Sequence, residues 1–277
     1  MLIKSYSKIN LTLKVNSKSR NGLHEIQSLY CWINLFDKIK IIKNKNKDKI
    51  SFKGSFSKLV KKKDNSVYNL LKKLRQLKLI SNFYSITITK NIPIFSGLGG
   101  GTGNAAFILK YLLKNKINNN LLNKLERIIG SDLRLFFKKQ GFLKDLKSIV
   151  EFKKKVIFYF VLIQPKIKCS TKTIYSKVKK FSKREKINKD LINSRNFFLR
   201  YLSKNRNDLQ FIVERKYPFI KKLLKDIENE KGCYLSRMTG SGSVCYGLFK
   251  DQIAAKKAFK KLRYKYPKFW FSFAKTV

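Results

Sequence analysis

Pro93-Ile94-Phe95-Ser96-Gly97-Leu98-Gly99-Gly100-Gly101-Thr102-Gly103-Asn104-Ala105-Ala106 packs five of the chain's 13 glycines into seven positions. Glycine tolerates positive φ and lets backbone N–H groups approach a ligand closely. Upstream, Ser85 to Lys90 (SITITK) alternates apolar and polar residues and predicts a strand. Downstream, a helical pattern runs from about 103 to 115. The stretch therefore reads as strand, glycine turn, helix. A helix N-terminus offers N–H donors and the positive end of a dipole, which suits phosphate. No G-x-x-x-x-G-K-[ST] is present, and Asn104 breaks G-x-G-x-x-G, so neither familiar phosphate-loop pattern applies. A tight turn alone requires fewer glycines, which favours phosphate binding.

Moving outward, a second helical pattern covers 119–129 and stops at Gly130. Gly130-Ser131-Asp132 then begins a new element. Phosphoryl transfer needs a positioned hydroxyl, cationic charge stabilisation and often one carboxylate to take a proton. Between Asn65 and Lys144 only Glu126 and Asp132 could supply it. Glu126 falls within the helical pattern and is expected to be exposed. Asp132 reads both as a proton acceptor and as a helix cap. Towards the N-terminus, Ile9, Leu11, Leu13 and Val15 alternate with Lys8, Asn10, Thr12 and Lys14. That predicts a strand with one buried and one solvated face.

The remaining pattern predicts strands near 29–43, 156–163, 233–238, 243–249 and 268–275, and helices over 66–80, parts of 171–228, and 251–264. Strands and helices mix in both halves, so the class is α+β. The boundary is placed near 145–155, giving lobes of 1–150 and 151–277. A second glycine turn, Thr239-Gly240-Ser241-Gly242-Ser243, joins two of the predicted strands and alone is a weak signal.

Composition narrows the class further. The 277 residues are 43% hydrophobic, which excludes a disordered polar chain. The formal charge is +48, from 64 Lys and Arg against 16 Asp and Glu. Two readings account for it. One is nucleic-acid binding. The other is a coding bias towards Lys, Asn and Ile, which fits lysines spread along the whole chain without an Arg-rich segment. Either way the field attracts anionic ligands. The four cysteines are scattered, and with a single histidine they argue against a zinc site and a disulfide scaffold. The longest apolar run, 156–163, falls far short of the ~20 residues of a spanning helix. No signal-peptide pattern opens the chain, so no membrane association and a cytoplasmic location are expected.

Three segments together carry a resemblance: Ser7-Lys8-Ile9-Asn10-Leu11 with Asn21-Gly22-Leu23-His24 after it, the stretch Pro93 to Ala106, and Arg237-Met238-Thr239-Gly240-Ser241-Gly242. Gly130-Ser131-Asp132, Asp64-Asn65-Ser66-Val67 and Thr89-Lys90 also fit. Over about residues 2–250 the chain resembles the GHMP small-molecule kinases, most closely those acting on diphosphocytidyl-methylerythritol in the non-mevalonate isoprenoid route. The resemblance implies a two-lobed fold, with an N-terminal lobe like a ribosomal-protein domain and a ferredoxin-like C-terminal lobe. It implies transfer of phosphate from ATP, with Mg²⁺, to the substrate's 2-hydroxyl. Asp132 would take the hydroxyl proton and Lys8 would pair with it. Pro93, Ile94, Phe95, Ser96, Gly97, Leu98, Gly99, Gly100, Gly101, Thr102 and Gly103 would wrap the ATP phosphates, with Asn65 and Lys90 on the adenosine side. Asn10 would position the substrate, His24 would hydrogen-bond the cytosine edge, and Tyr175 would stack on that ring beside Thr171. A monomer or homodimer is expected. Three positions depart from the family's pattern: Leu23 replaces an aromatic, Thr102-Gly103 replaces Ser-Ser, and Leu133-Arg134 replaces a small apolar residue and Pro. Arg134 would shift the loop or add charge near the phosphates. The alternatives are a GHMP kinase of another substrate and a basic RNA-binding protein reusing the fold.

Overall fold

The computed structural model describes residues 2–19, 22, 24–61, 63–152, 156–187 and 195–277. Asn21 and Leu23 of the first motif lie outside the described residues, as do 188–194 within the long helical reading. By contacts the chain divides into two compact units, each assembled from several segments. Residues 1–8, 35–94 and 99–138 form the first, and 9–34, 95–98 and 139–277 the second. Two strands, β1 (Leu2–Asn10) and β3 (His24–Asn44), contribute residues to both.

In the first unit, residues Lys38 to Asn44 of β3 pair antiparallel with β5 (Phe83–Thr89), and β5 pairs parallel with β4 (Lys49–Lys53). The alternation in β5 does what it predicts: Tyr84, Ile86 and Ile88 are buried and their neighbours are not. Helix α1 (Ser66–Gln76) buries Val67, Leu70, Leu71 and Leu74 at helical spacing, and α3 (Asn119–Ile129) buries Leu121, Leu122, Leu125 and Ile129. Each such side chain contributes about 1.5–3 kcal/mol by leaving water. Helix α2 (Gly100–Leu113) packs against α1 and is apolar over most of its surface. A 3-10 turn, Ser131–Phe136, follows α3 and packs on both α2 and α3.

In the second unit, β11 (Trp270–Lys275), β8 (Tyr159–Gln164), β10 (Cys245–Phe249) and β9 (Cys233–Met238) form an antiparallel sheet in that order. Helices α5 (Phe219–Glu228) and α6 (Gln252–Lys265) pack on it. In chain order the strands read 4-1-3-2 across the sheet, the ferredoxin-like arrangement. Strand β8 is the buried strand expected near 156–163, with Phe160 to Ile163 fully buried. Residues Ser28 to Cys31 of β3 pair with β6 (Gln140–Asp145), which turns back into β7 (Ser148–Glu151). β2 (Lys14–Lys18) pairs with the start of β3.

The alternation over 9–15 does not become one half-solvated strand. β1 ends at Asn10, and β2 starts at Lys14. Both faces before Lys14 are buried: Lys8 is 1% exposed, Asn10 0% and Thr12 2%. Burial is tolerated because these polar groups find partners. In the second unit, Asn10 Nδ2 donates to Ser28 Oγ at 2.8 Å, and Leu29 N donates to Thr12 Oγ1 at 3.0 Å.

Candidate active site

Helix α2 opens on Gly99 in a left-handed conformation (φ 71°), with no side-chain cap and no acidic residue in its first turn. A Cβ at Gly99 would lie 2.8 Å from the Phe136 ring and 3.2 Å from Lys8 Cε. Glycine is therefore required twice over, by conformation and by space. Such a helix end presents N–H donors and the positive end of a dipole, which suits an anion.

The catalytic candidates meet at this helix end. Lys8 Nζ lies 3.0 Å from Asp132 Oδ2. The lysine is 1% exposed, whereas the Asp132 side chain is 30% exposed. Asp132 sits in the 3-10 turn, which is capped by Gly130 rather than by Asp132 itself. Thr102 belongs to the same corner: a Cβ on Gly130 would come 3.2 Å from its hydroxyl.

Asn65 caps α1, accepting from Val67 N at 3.1 Å and Tyr68 N at 3.0 Å. The next residue, Ser66, faces the glycine turn, with its hydroxyl 3.4 Å from where a Gly101 Cβ would stand. Lys90 is buried, and its Nζ pairs with Asp37. Asp37 also accepts from Asn91 N, Ile92 N and Asn104 Nδ2 at 2.7, 2.8 and 2.9 Å. Lys90 thus braces the turn between β5 and α2. Asp37 and Asn104 were not singled out from the sequence. An acid in mid-strand, in a chain with 16 acids against 64 bases, was the available signal.

The first part of the glycine stretch is held within the second unit. Ser243 N donates to Phe95 O at 2.9 Å and Val244 N to Ser96 O at 3.2 Å. A Cβ at Gly97 would collide with Thr239 O at 2.0 Å. The third motif is thus the backbone partner of residues 95–97. Its Thr239 Oγ1 accepts from Asn10 N at 3.0 Å. Arg237 is buried and donates to the carbonyls of Leu11 and Leu202, and Asn207 donates to those of Met238 and Gly240. These residues organise the motif's backbone.

His24 and Tyr175 also meet in the second unit, with ring centroids 5.1 Å apart at 42°. Burial and Lys18 push the His24 imidazole below its ordinary value, which favours the neutral ring with one donor and one acceptor. Tyr175 ends the short helix α4 (Thr171–Tyr175), and Thr171 Oγ1 is 2.9 Å from Ser241 Oγ of the third motif.

Glu126 and Arg134 differ from their expected surroundings. Glu126 is 12% exposed, not solvated. Arg134 Nε lies 2.8 Å from Glu126 Oε1, and its other nitrogens donate to Asn119 Oδ1 at 2.9 Å and Asn123 Oδ1 at 2.7 Å. Burial raises the Glu126 carboxyl to about 7, outweighing the pull of Arg134. The guanidinium is committed to α3. Among the described residues, no group of three or more His, Cys, Asp or Glu could hold a metal ion, and no helix is long and apolar enough to cross a membrane.

The chain is similar to known proteins along its length. The family model "GHMP kinases N terminal domain" matches residues 64–133, and "GHMP kinases C terminal" matches 191–268. The chain is 37% identical to 4-diphosphocytidyl-2-C-methyl-D-erythritol kinase of Pelagibacter ubique, over 99% of this chain and 98% of that one. It is 30% identical to the kinase of the same name from Anaplasma marginale, over 97% and 94%. Among solved structures it is similar to a 4-(cytidine 5'-diphospho)-2C-methyl-D-erythritol kinase, with TM-score 0.74, 21% identity and full coverage of both chains. It is also similar in fold to homoserine kinase from Cytophaga hutchinsonii, with TM-score 0.67, 18% identity and coverage of 98% and 94%.

Proposed function

The chain belongs to the GHMP kinase family, and on that premise we propose that it phosphorylates the 2-hydroxyl of 4-diphosphocytidyl-2-C-methyl-D-erythritol with ATP. The observation that carries the reading is the Lys8–Asp132 pair at the start of α2, with Lys8 against Gly99. A proton acceptor, a cation and a phosphate-binding helix end occupy one corner. Kinase catalysis asks mainly for positioning and charge stabilisation, and this corner supplies both.

Asp132 accepts the proton of the attacking hydroxyl. Lys8 fixes the carboxylate and stabilises the oxygen as it becomes nucleophilic. The first turn of α2 and residues 93–103 hold the phosphates, and the Thr102 hydroxyl adds a donor beside Asp132. Asn65, through the start of α1, and Lys90, braced on Asp37, shape the nucleotide side. Asn10 positions the acceptor substrate. His24 offers one donor and one acceptor to the cytosine edge, and the Tyr175 ring, with Thr171 beside it, provides a stacking face. Mg²⁺ is proposed as part of the nucleotide complex. It typically binds through phosphates and one or two carboxylates rather than a protein cage, which fits Asp132 and Thr102 as neighbours of the phosphates. Functional lobes of 1–150 and 151–277 are supported by the two family matches, which fall one in each. The same reading makes small molecules the partners and the cytoplasm the compartment.

The test is a coupled ADP-release assay with Mg²⁺-ATP and, in parallel, the cytidyl acceptor, homoserine, mevalonate or no acceptor. Release with the cytidyl acceptor alone is the expected result. Release with homoserine or mevalonate, or with none of the acceptors, overturns the substrate assignment.

A further inference from the structure

We propose that Arg134 is a positioning residue for Asp132: it ties the 3-10 turn that carries the proton acceptor to helix α3 through three side chains. The inference rests on the kinase reading above. Asp132 and Arg134 lie two residues apart in one short turn, Ser131–Phe136. The Arg134 side chain is 6% exposed and meets Asn119, Asn123 and Glu126 at 2.9, 2.7 and 2.8 Å. These three partners line α3 at spacings of four and three residues, which places them on one face of the helix. The planar guanidinium engages all of them at once, a geometry that an ammonium cannot reproduce.

The far end of the turn is fixed independently. Lys110 Nζ, from α2, donates to the carbonyl of Phe136, and the Phe136 ring fills the space under Gly99 and Gly103. The turn is thus pinned to α3 at Arg134 and to α2 at Phe136, and Asp132 lies N-terminal to both pins. A 3-10 turn is a poor self-supporting element, because its hydrogen bonds are strained and its runs are short. Side-chain ties from the neighbouring helices therefore decide where the Asp132 carboxylate stands relative to Lys8. Nothing in this arrangement brings Arg134 to a reacting atom, so its contribution to turnover acts through the placement of Asp132.

The experiment compares wild type, Arg134→Gln, Arg134→Lys and Asn123→Ala. It measures kcat, KM for ATP and for the cytidyl acceptor, and amide hydrogen exchange. Displacement of a catalytic group by about 1 Å costs up to ~100-fold. Arg134→Gln is therefore expected to lower kcat by about 10- to 100-fold while both KM values stay within about twofold. Exchange should rise across 131–136, and Arg134→Lys should recover part of kcat. Asn123→Ala removes one tie only and should lower kcat by a few-fold, which keeps the test decisive if Arg134→Gln does not fold. A folded Arg134→Gln, or failing that Asn123→Ala, with kcat at the wild-type level overturns the proposal, as does a loss confined to KM. If wild type turns over no acceptor yet exchange at 131–136 rises selectively in the variants, the tie stands and the kinase reading falls. If wild type is active and the variants match it, the reverse holds.

Discussion

Among the described residues of the first unit, the Lys8–Asp132 and Lys90–Asp37 pairs both reach the start of α2, Lys8 at Gly99 and Lys90 at Gly100, and they differ in what the carboxylate has left to offer. Asp37 is 0% exposed and accepts from Lys90, two backbone N–H groups and Asn104. Its oxygens are filled, and the pair is a fixed strut under the start of α2. Asp132 pairs with an equally buried lysine, Lys8, but keeps 30% of its side chain open. The same two residue types therefore serve opposite ends. A carboxylate saturated with donors holds backbone in place, and one with an open face can take a proton. Exposure and donor count separate the two uses, and residue type does not.

The sharpest way to break this comparison is to neutralise each aspartate in turn. Asp132→Asn keeps the shape and removes the proposed base. Loss of general-base catalysis is worth about 10²- to 10⁴-fold. kcat in the ADP-release assay is expected to fall by that amount while ATP still binds in a titration. A variant that keeps kcat within tenfold of wild type would show that Asp132 is not the proton acceptor.

Asp37→Asn should act on stability instead. It places an amide where Lys90 needs a counter-charge and turns an Nδ2 donor towards other donors. Removing one partner of a buried ion pair costs about 3–5 kcal/mol. Guanidinium unfolding should show a loss of that order, larger than the loss in Asp132→Asn. Combining it with Lys90→Met, which removes the orphaned charge, should restore part of it. A loss below about 1 kcal/mol would mean that the strut contributes little and that the contrast between the pairs is one of geometry alone.

The sequence announced these two pairs unequally, for a physical reason. Periodicity reports which face of an element is apolar. The strand order of the second unit, in which Trp270 pairs with Gln164, was expected only from the resemblance, whereas strand β5 and the helices α1 and α3 follow from residues close together in the chain. The stop of α3 at Gly130 was legible for the same reason, as was the glycine turn. Strand β4, which begins and ends on lysine, and the β6–β7 hairpin are short and gave no comparable signal. The buried polar face of Lys8, Asn10 and Thr12 read as solvated, because its partners are remote. Thr239 Oγ1, which accepts from Asn10, is 229 residues away. Arg134 was legible as a departure from the family's pattern, but its destination on α3 depended on Asn119 and Asn123, whose faces a one-dimensional reading treats as ordinary solvent. Asp132 was legible as one of two carboxylates between Asn65 and Lys144, whereas Lys8, His24 and Tyr175 were named from the resemblance. Spacing alone would not have chosen one lysine among so many.

The Glu126–Arg134 pair lies between the two extremes and sharpens the comparison through pH. Burial raises the folded-state value of Glu126 to about 7, from an ordinary 4.5, despite the guanidinium beside it. A raised carboxyl value means that the folded state holds the proton more tightly than the unfolded chain does. The associated stability is full below about 4.5 and is lost as pH rises through about 7. The sign is opposite to that of a carboxylate whose ionised form the fold favours. Discounted for partial solvent access, the effect is on the order of 1–2 kcal/mol. Glu126→Gln cannot titrate, so the stability of wild type relative to this variant should fall by that amount between pH 5 and pH 8 in parallel denaturant titrations. A relative stability that rises over this interval would show that the ion pair with Arg134 dominates. Glu126 would then behave as a saturated strut in the manner of Asp37, and the guanidinium rather than burial would set its charge.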